Sequence, residues 1–196
     1  MKFYCDVTLL PDAEANLGFL WQKVFCLIHS AMVENQHSES SDIAVSFPEY
    51  DNSIFPLGNK LRVLATSENA LHELELEQRL KRLSDYCHCT SLKVVPEVKQ
   101  FVRFERKQFA SNMERIARRR AKRKGETLEE AMFHLKDATE EVSKLPFINV
   151  GSSSTQVEEG QKRRFKLFIK RIFTDKPLAG QFSAYGLSKE ATVPWF

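Results

Sequence analysis

Few side chains among these 196 residues have the chemistry to make or break a covalent bond. His29 is one, because imidazole alone has an ordinary pKa that lets it take a proton near neutrality. The run Gly151-Ser152-Ser153-Ser154-Thr155 supplies hydroxyls, and Cys87-His88-Cys89 supplies metal-type donors. Each has an ordinary structural explanation when taken alone. His29 falls on the rim of an amphipathic helix, where a satisfied ring nitrogen is commoner than a catalyst. The serine run has the composition of a turn. Cys87-His88-Cys89 has no second Cys or His pair to complete a tetrahedral site and reads as structural. His37 falls in a loop and His72 and His134 on helices, with nothing to single them out. There is no P-loop, no glycine-rich dinucleotide motif and no carboxylate cluster for two-metal phosphoryl transfer. No metal and no cofactor is therefore expected.

A charged stretch supplies what those groups would act on. Ser111–Gly125 reads SNMERIARRRAKRKG. Ser111 and Glu114 have capping-box spacing, and Gly125 can close the helix in a left-handed conformation. Met113, Ile116, Ala117 and Ala121 share one face, while Arg115, Arg118, Arg119, Lys122 and Arg123 occupy an arc of about 140° on the other. Arg120 and Lys124 sit nearer the apolar side, where their stems can snorkel. Cations so crowded repel one another unless a polyanion lies against them, which is the footprint of a nucleic-acid-binding helix. A merely solvated helix would interleave Glu with Lys at i,i+4 spacing, and only Glu114 offsets this run.

With RNA as the polyanion, the weak signals reinforce one another. RNA carries its own nucleophile, the 2′-hydroxyl, so its cleavage needs neither metal nor protein nucleophile. It needs a general base of pKa near 7 and hydroxyl donors that fix the ribose. Cations or N–H donors near the phosphate would steady the developing charge. His29, Ser152 and Ser154 have the matching chemistries.

The elements that must position these groups follow from periodicity. Phe3, Cys5, Val7 and Leu9 alternate with their neighbours in a strand that ends at Pro11-Asp12. A helix from about Asn16 to Glu34 carries Leu17, Trp21, Val24, Phe25, Ile28 and Met32 as its apolar stripe. Asn35–Ser41 is a loop, Ile43–Phe47 a second strand, and Leu61, Val63 and Ala65 alternate in a third. Ser67 caps a helix bearing Leu71, Leu74, Leu80 and Leu83, and Leu92–Val95 is a fourth strand stopped by Pro96. The order β-α-β-β-α-β predicts a ferredoxin-like domain over residues 1–96, within an α+β chain. Composition changes at Pro96, so residues 97–196 are expected to form an α+β RNA-binding domain built around the arginine-rich helix.

In that second half Phe101–Phe109 alternates apolar and basic residues. Thr127 and Glu130 open a helix lined by Leu128, Ala131, Met132, Leu135, Ala138 and Val142, running until Pro146. Phe147–Val150 is a short strand and Arg164–Phe173 a basic one. Val193-Pro194-Trp195-Phe196 is too aromatic for a frayed end and is expected to be docked.

The net charge of +3 conceals segregation: residues 1–96 carry −5, 97–125 carry +8, 126–160 carry −6 and 161–196 carry +6. Two basic segments can therefore converge on phosphates while the remaining surface stays acidic. Cys5, Cys26, Cys87 and Cys89 show no framework spacing and no apolar signal precedes them, as expected of reduced thiols in a cytoplasmic protein. No run approaches the roughly 18 apolar residues that span a membrane, so no membrane partner is expected.

The chain resembles the type I-F CRISPR precursor-RNA endoribonucleases, the Csy-type branch of the repeat-processing family. The likeness runs end to end: Phe25-x-x-x-His29, the SFP of Ser46–Pro48, Arg106-x-Gln108 before Ser111-Asn112, the arginine-rich helix, and Leu145-Pro146-Phe147. It continues through Ser152–Thr155 and Phe165-x-Leu167-Phe168-Ile169, and closes on Tyr185-Gly186-Leu187-Ser188-Lys189 and Val193-Pro194-Trp195-Phe196. The resemblance implies that His29 deprotonates the 2′-hydroxyl, that Ser152 holds the ribose with Ser154 supporting its loop, and that Tyr185 orients the histidine. It implies that Phe165 stacks beneath the closing pair of an RNA hairpin, and that Arg106 and Gln108 read base edges at the foot of the stem. Arg118, Arg119, Lys122 and Arg123 match the helix that follows the stem phosphates, with Arg115 on the same face. Products with a 2′,3′-cyclic phosphate and a 5′-hydroxyl are expected, the enzyme staying on the 3′ hairpin of the CRISPR RNA. Lys122 replaces an arginine, keeping charge and losing the planar fork. The loop Gln156–Lys162 is longer than usual, and the glycine-rich loop of the wider family is absent.

The implied partners are the CRISPR repeat RNA and the backbone and other subunits of a type I-F surveillance complex. In transposon-encoded relatives of the system a transposition adaptor protein would join them. Two other readings stay open: a non-catalytic subunit that holds the guide-RNA hairpin, and a double-stranded DNA reader using the basic helix in the major groove.

Overall fold

The computed structural model describes residues 1–36, 41–109, 113–135, 144–151 and 164–196, without the side chains of Met113 and Arg115. It is a mixed α/β chain with two antiparallel sheets, divided into two compact units: Met1–Arg106 with Pro146–Phe196, and Lys107–Leu145.

In the larger unit the alternation of the first residues becomes β1 (Phe3–Leu9), whose Val7 and Leu9 are fully buried. Asp12 ends it by accepting N–H bonds from Glu14 and Ala15. Helix α1 (Leu17–Glu34) is capped by Asn16, whose side chain accepts from the Phe19 N–H, and it buries Trp21, Val24, Phe25, Ile28 and Met32 as the stripe requires. Strands β2 (Ile43–Ser46) and β3 (Lys60–Ala65) follow. The sheet order is β2-β3-β1-β4, with β5 also paired to β1.

Two expectations are corrected here. The helix after Ser67 is broken into α2 (Glu68–His72) and α3 (Leu76–Leu80), followed by a 3₁₀ turn at Lys81–Leu83. Glu75 stands between them at φ 47°, ψ 41°, a left-handed conformation that cannot continue a right-handed helix. The strand expected over Leu92–Val95 is reduced to the two residues of β5 (Lys93–Val94). Ahead of it lies β4 (Cys87–Cys89), with Cys87 opposite Leu9 and Cys89 opposite Val7. The Cys-His-Cys triplet is thus a strand alternation: Cys87 is buried and His88 exposed. All four cysteines are free thiols, and burial pushes Cys5 up to about 12 and Cys89 to about 11, far from thiolate chemistry at neutrality.

The second sheet, ordered β7-β8-β6-β9, is built from β6 (Phe101–Lys107), β7 (Phe147–Gly151), β8 (Arg164–Thr174) and β9 (Val193–Pro194). It shares one core with the first: Phe47 meets Phe104 edge-on at 5.1 Å, and the Tyr50 hydroxyl donates to Ile169 O. Helix α1 packs against both β1 and β7. The tail is docked, as expected. Val193 pairs with Val102, the Trp195 N–H donates to Gln100 O, and the Phe196 main-chain oxygen accepts from Arg62 at 2.6 Å.

In the smaller unit α4 (Met113–Lys124) ends at Gly125, φ +70°, whose N–H returns to Ala121 O. Thr127 and Glu130 form the expected capping box of α5 (Leu128–His134). The two helices pack together and bury Ala117 and Ala131. The described part of α5 closes at Leu135, short of the expected Pro146, and Ala138 and Val142 lie outside the described residues. No helix among the described residues is long and apolar enough to cross a membrane.

Candidate active site

His29 sits on α1 beside the fully buried Ile28, and is itself half-buried. Its Nδ1 lies 2.8 Å from the carbonyl oxygen of Ala184. A carbonyl only accepts, so Nδ1 carries the proton and Nε2 keeps its lone pair. The next residue, Tyr185, lays its ring against the imidazole, with centroids 4.2 Å apart and planes 18° from parallel. Burial lowers the His29 pKa below its ordinary 6.5, and the bond to Ala184 opposes that only in part. The ring is therefore neutral at neutral pH, as a base must be.

The Ser183–Leu187 turn sets this arrangement. Gly186 donates its N–H to Ser183 O, and Ser183 donates both its N–H and its hydroxyl to Leu187 O. Val45 of β2 donates to Gly186 O at 3.0 Å, and Ser188 donates to Phe104 O of β6, so the turn is stitched to both sheets.

Arg106, at the end of β6, places its guanidinium 5.5 Å from the Tyr185 ring centre and 5.2 Å from that of Phe165 on β8. Phe165 stands opposite Val150 in the β7–β8 pairing, and the next pair, Gly151 with Arg164, is the last described before the connecting segment. His29, Tyr185, Arg106 and Phe165 thus gather, by direct ring and cation contacts, from residues as far as 156 positions apart in the chain. Ser152, bonded directly to Gly151, and Ser154 lie outside the described residues.

The other candidates belong to the smaller unit. Gln108 is exposed just beyond β6. Arg118, Arg119, Lys122 and Arg123 are exposed on α4, and Arg115 shares that helix with its side chain outside those described. Arg118 pairs with Glu114 at i,i+4 in full solvent, whereas Arg120 is half-buried and engaged by Glu126. Among the described residues Arg119, Lys122 and Arg123 have no ion-pair partner, so their charge is available to a ligand.

Sequence reasoning missed two participants. Ala184 acts through its backbone, which no side-chain pattern reveals. Gly186 was visible only as a member of the Tyr185-Gly186-Leu187-Ser188-Lys189 motif, not as a turn or packing requirement.

The cluster joins a neutral, oriented imidazole to stacking and cationic groups, the make-up of an acid–base site for an aromatic, anionic substrate. A family model described as CRISPR-associated protein (Cas_Csy4) matches residues 4–196. The chain belongs to that family, as the motif resemblance implied. It is 38% identical over 197 residues to the CRISPR-associated endonuclease Cas6/Csy4 of Escherichia coli (strain UTI89 / UPEC), with 100% of both chains covered. It is 35% identical over 201 residues to the CRISPR-associated endonuclease Cas6/Csy4 of Pseudomonas aeruginosa (strain UCBPP-PA14), again with 100% of both covered.

Proposed function

We propose that this chain is an endoribonuclease that cuts CRISPR repeat RNA at the base of a hairpin and keeps hold of the 3′ hairpin of the product within a type I-F effector complex. The observation that carries the reading is the bare Nε2 of a neutral His29, fixed by Ala184 and Tyr185 beside Arg106 and Phe165. Both full-length relatives are named endonucleases, which supports the same chemistry.

In this reading His29 Nε2 removes the proton from the ribose 2′-hydroxyl. The freed oxygen attacks the adjacent phosphorus and the bond to the 5′-oxygen breaks as that oxygen takes up a proton from water, leaving a 2′,3′-cyclic phosphate and a 5′-hydroxyl. Ser152 holds the ribose and Ser154 supports its loop. Tyr185 keeps the imidazole in plane. Phe165 stacks under the closing base pair while Arg106 and Gln108 read base edges. Arg115, Arg118, Arg119, Lys122 and Arg123 grip the stem phosphates. A metal ion has no assigned role.

The strand order β2-β3-β1-β4 supports a ferredoxin-like unit over residues 1–96, with residues 97–196 supplying most RNA contacts. Four free thiols suit a reducing, cytoplasmic setting. The test is incubation with the repeat hairpin in excess EDTA, with the ends of the products analysed. Cyclic-phosphate ends from the wild type and none from His29→Ala are expected. Uncut RNA, or unchanged cutting by His29→Ala, overturns the reading.

A further inference from the structure

We infer that Gly186 is a positioning residue: through the turn it permits, it holds the Ala184 carbonyl on Nδ1 and so selects the His29 tautomer whose Nε2 can act as a base. The inference rests on His29 being the base of the proposed reaction.

A neutral imidazole has two tautomers, and only the Nδ1–H form leaves Nε2 free to accept a proton. The bond from Nδ1 to Ala184 O, at 2.8 Å, favours that form. The carbonyl is held by a turn that closes only with residue 186 at φ +69°, a conformation costly for any residue with a Cβ. Space demands glycine as well. A Cβ on residue 186 would lie 2.9 Å from Val45 Cγ1, 2.9 Å from Val45 N and 3.0 Å from Met32 Cε. Val45 belongs to β2, and Met32 stands three residues after His29 on α1. The turn is therefore seated on the β2 backbone at Val45, and it also touches the flexible tip of Met32 from the helix that carries the imidazole. A side chain at 186 forces the turn off the Val45 backbone of β2 and so shifts both the Ala184 carbonyl and the stacked Tyr185 ring relative to His29.

The decisive readout is the protonation site. Nitrogen-15 NMR of the full chain labelled in histidine, without RNA, distinguishes Nδ1–H from Nε2–H. It is paired with single-turnover cleavage and hairpin binding for wild type and Gly186→Ala. Nδ1–H in the wild type is expected. In Gly186→Ala the Nε2–H form should grow and cleavage should slow about 10-fold or more, since small misplacements of a reacting group are costly. Hairpin affinity should stay within about twofold, because binding draws on other residues. Nε2–H in the wild type, or Gly186→Ala with unchanged tautomer and rate, overturns the inference. Should Gly186→Ala fail to fold, the full chain assembled with an ester in place of the Ala184–Tyr185 amide weakens the same acceptor with every side chain kept. It must then lose Nδ1–H population and rate, and no change in either overturns the inference. A wild type that leaves the hairpin uncut, yet shows Nδ1–H that Gly186→Ala loses, supports the positioning role and defeats the endoribonuclease reading alone.

Discussion

Replacing Arg118 and Arg119 together by alanine should weaken hairpin binding in a way that salt erases. Both side chains are exposed on α4. The Arg118–Glu114 pair is solvent-exposed on both sides, so giving it up for a phosphate costs about 0–1 kcal/mol. Each phosphate contact on a duplex contributes about 0.9 to the slope of log affinity against log salt, so losing two flattens it by about 1.8. Over a change from about 50 to about 200 mM salt, that difference amounts to about 12-fold. The deficit of the double variant, measured by fluorescence anisotropy with a labelled hairpin, should therefore shrink about 12-fold between those two conditions. Arg120→Ala is the internal control. Its guanidinium is half-buried and held by Glu126, so it should lower the stability of the helical unit and leave the salt slope alone. A deficit of equal size at both salts would mean that Arg118 and Arg119 do not meet phosphate. A flattened slope for Arg120→Ala would mean that its more buried pairing with Glu126 does not keep it from phosphate.

Other expectations follow from single contacts. Tyr185→Phe keeps the ring against His29 and should cleave within about twofold of wild type, whereas Tyr185→Ala should lose about 2- to 12-fold, the worth of an aromatic stack of about 0.5–1.5 kcal/mol; single-turnover rates decide it. Because burial lowers the His29 pKa, the cleavage rate should rise with pH, reach half its plateau below 6.5 and be flat across neutrality; a midpoint above 6.5 refutes the assignment. The same shift sets the sign for folding. The unfolded chain binds the proton more readily, so the His29 contribution is whole above 6.5 and is lost as pH falls below it, which urea titrations at several pH values would register. Arg62→Ala leaves Asp6 buried without its bidentate partner and should cost about 3–5 kcal/mol in urea unfolding.

Where residues must satisfy one local rule, the sequence was legible. β1 and α1 carry a clean period of two and of 3.6, with Asn16 and Pro11 marking their limits, and both formed as expected. The break between α2 and α3 was not legible, since the left-handed residue there is Glu75 rather than the usual glycine or asparagine. β4 was hidden because three residues are too few to display a period, and the Cys-His-Cys triplet invited a metal interpretation that its pairing with β1 explains without one. At the candidate site His29 was readable by residue type, whereas Tyr185, Arg106 and Phe165 were singled out only by the motif resemblance. The acceptor on Nδ1 was beyond reach, because every residue offers the same backbone carbonyl and only tertiary packing chooses Ala184.

That choice is made by register, and the register is held from far away. Arg62 is 7% exposed, paired with Asp6, and packed against the rings of Tyr4 and Phe196 at 4.7 and 3.9 Å. Apolar residues of similar volume would be at least as stable in such a place, so stability alone does not account for the pair. A guanidinium whose Nη1 is left over by the bidentate pair does something that a leucine does not: it favours a segment that presents an oxygen and an aromatic ring together, as Phe196 does. From that anchor the tail runs back along β6, Trp195 to Gln100, Val193 to Val102 and Ser188 to Phe104, before Gly186 reaches Val45 and Ala184 reaches His29. A slip of one residue would bring the carbonyl of Ser183 or Tyr185 to the imidazole and lift the Tyr185 ring from its face. The Arg62–Asp6 pair is thus one of the contacts that hold the tail in this register, together with the main-chain bonds of the tail to β6 and β2.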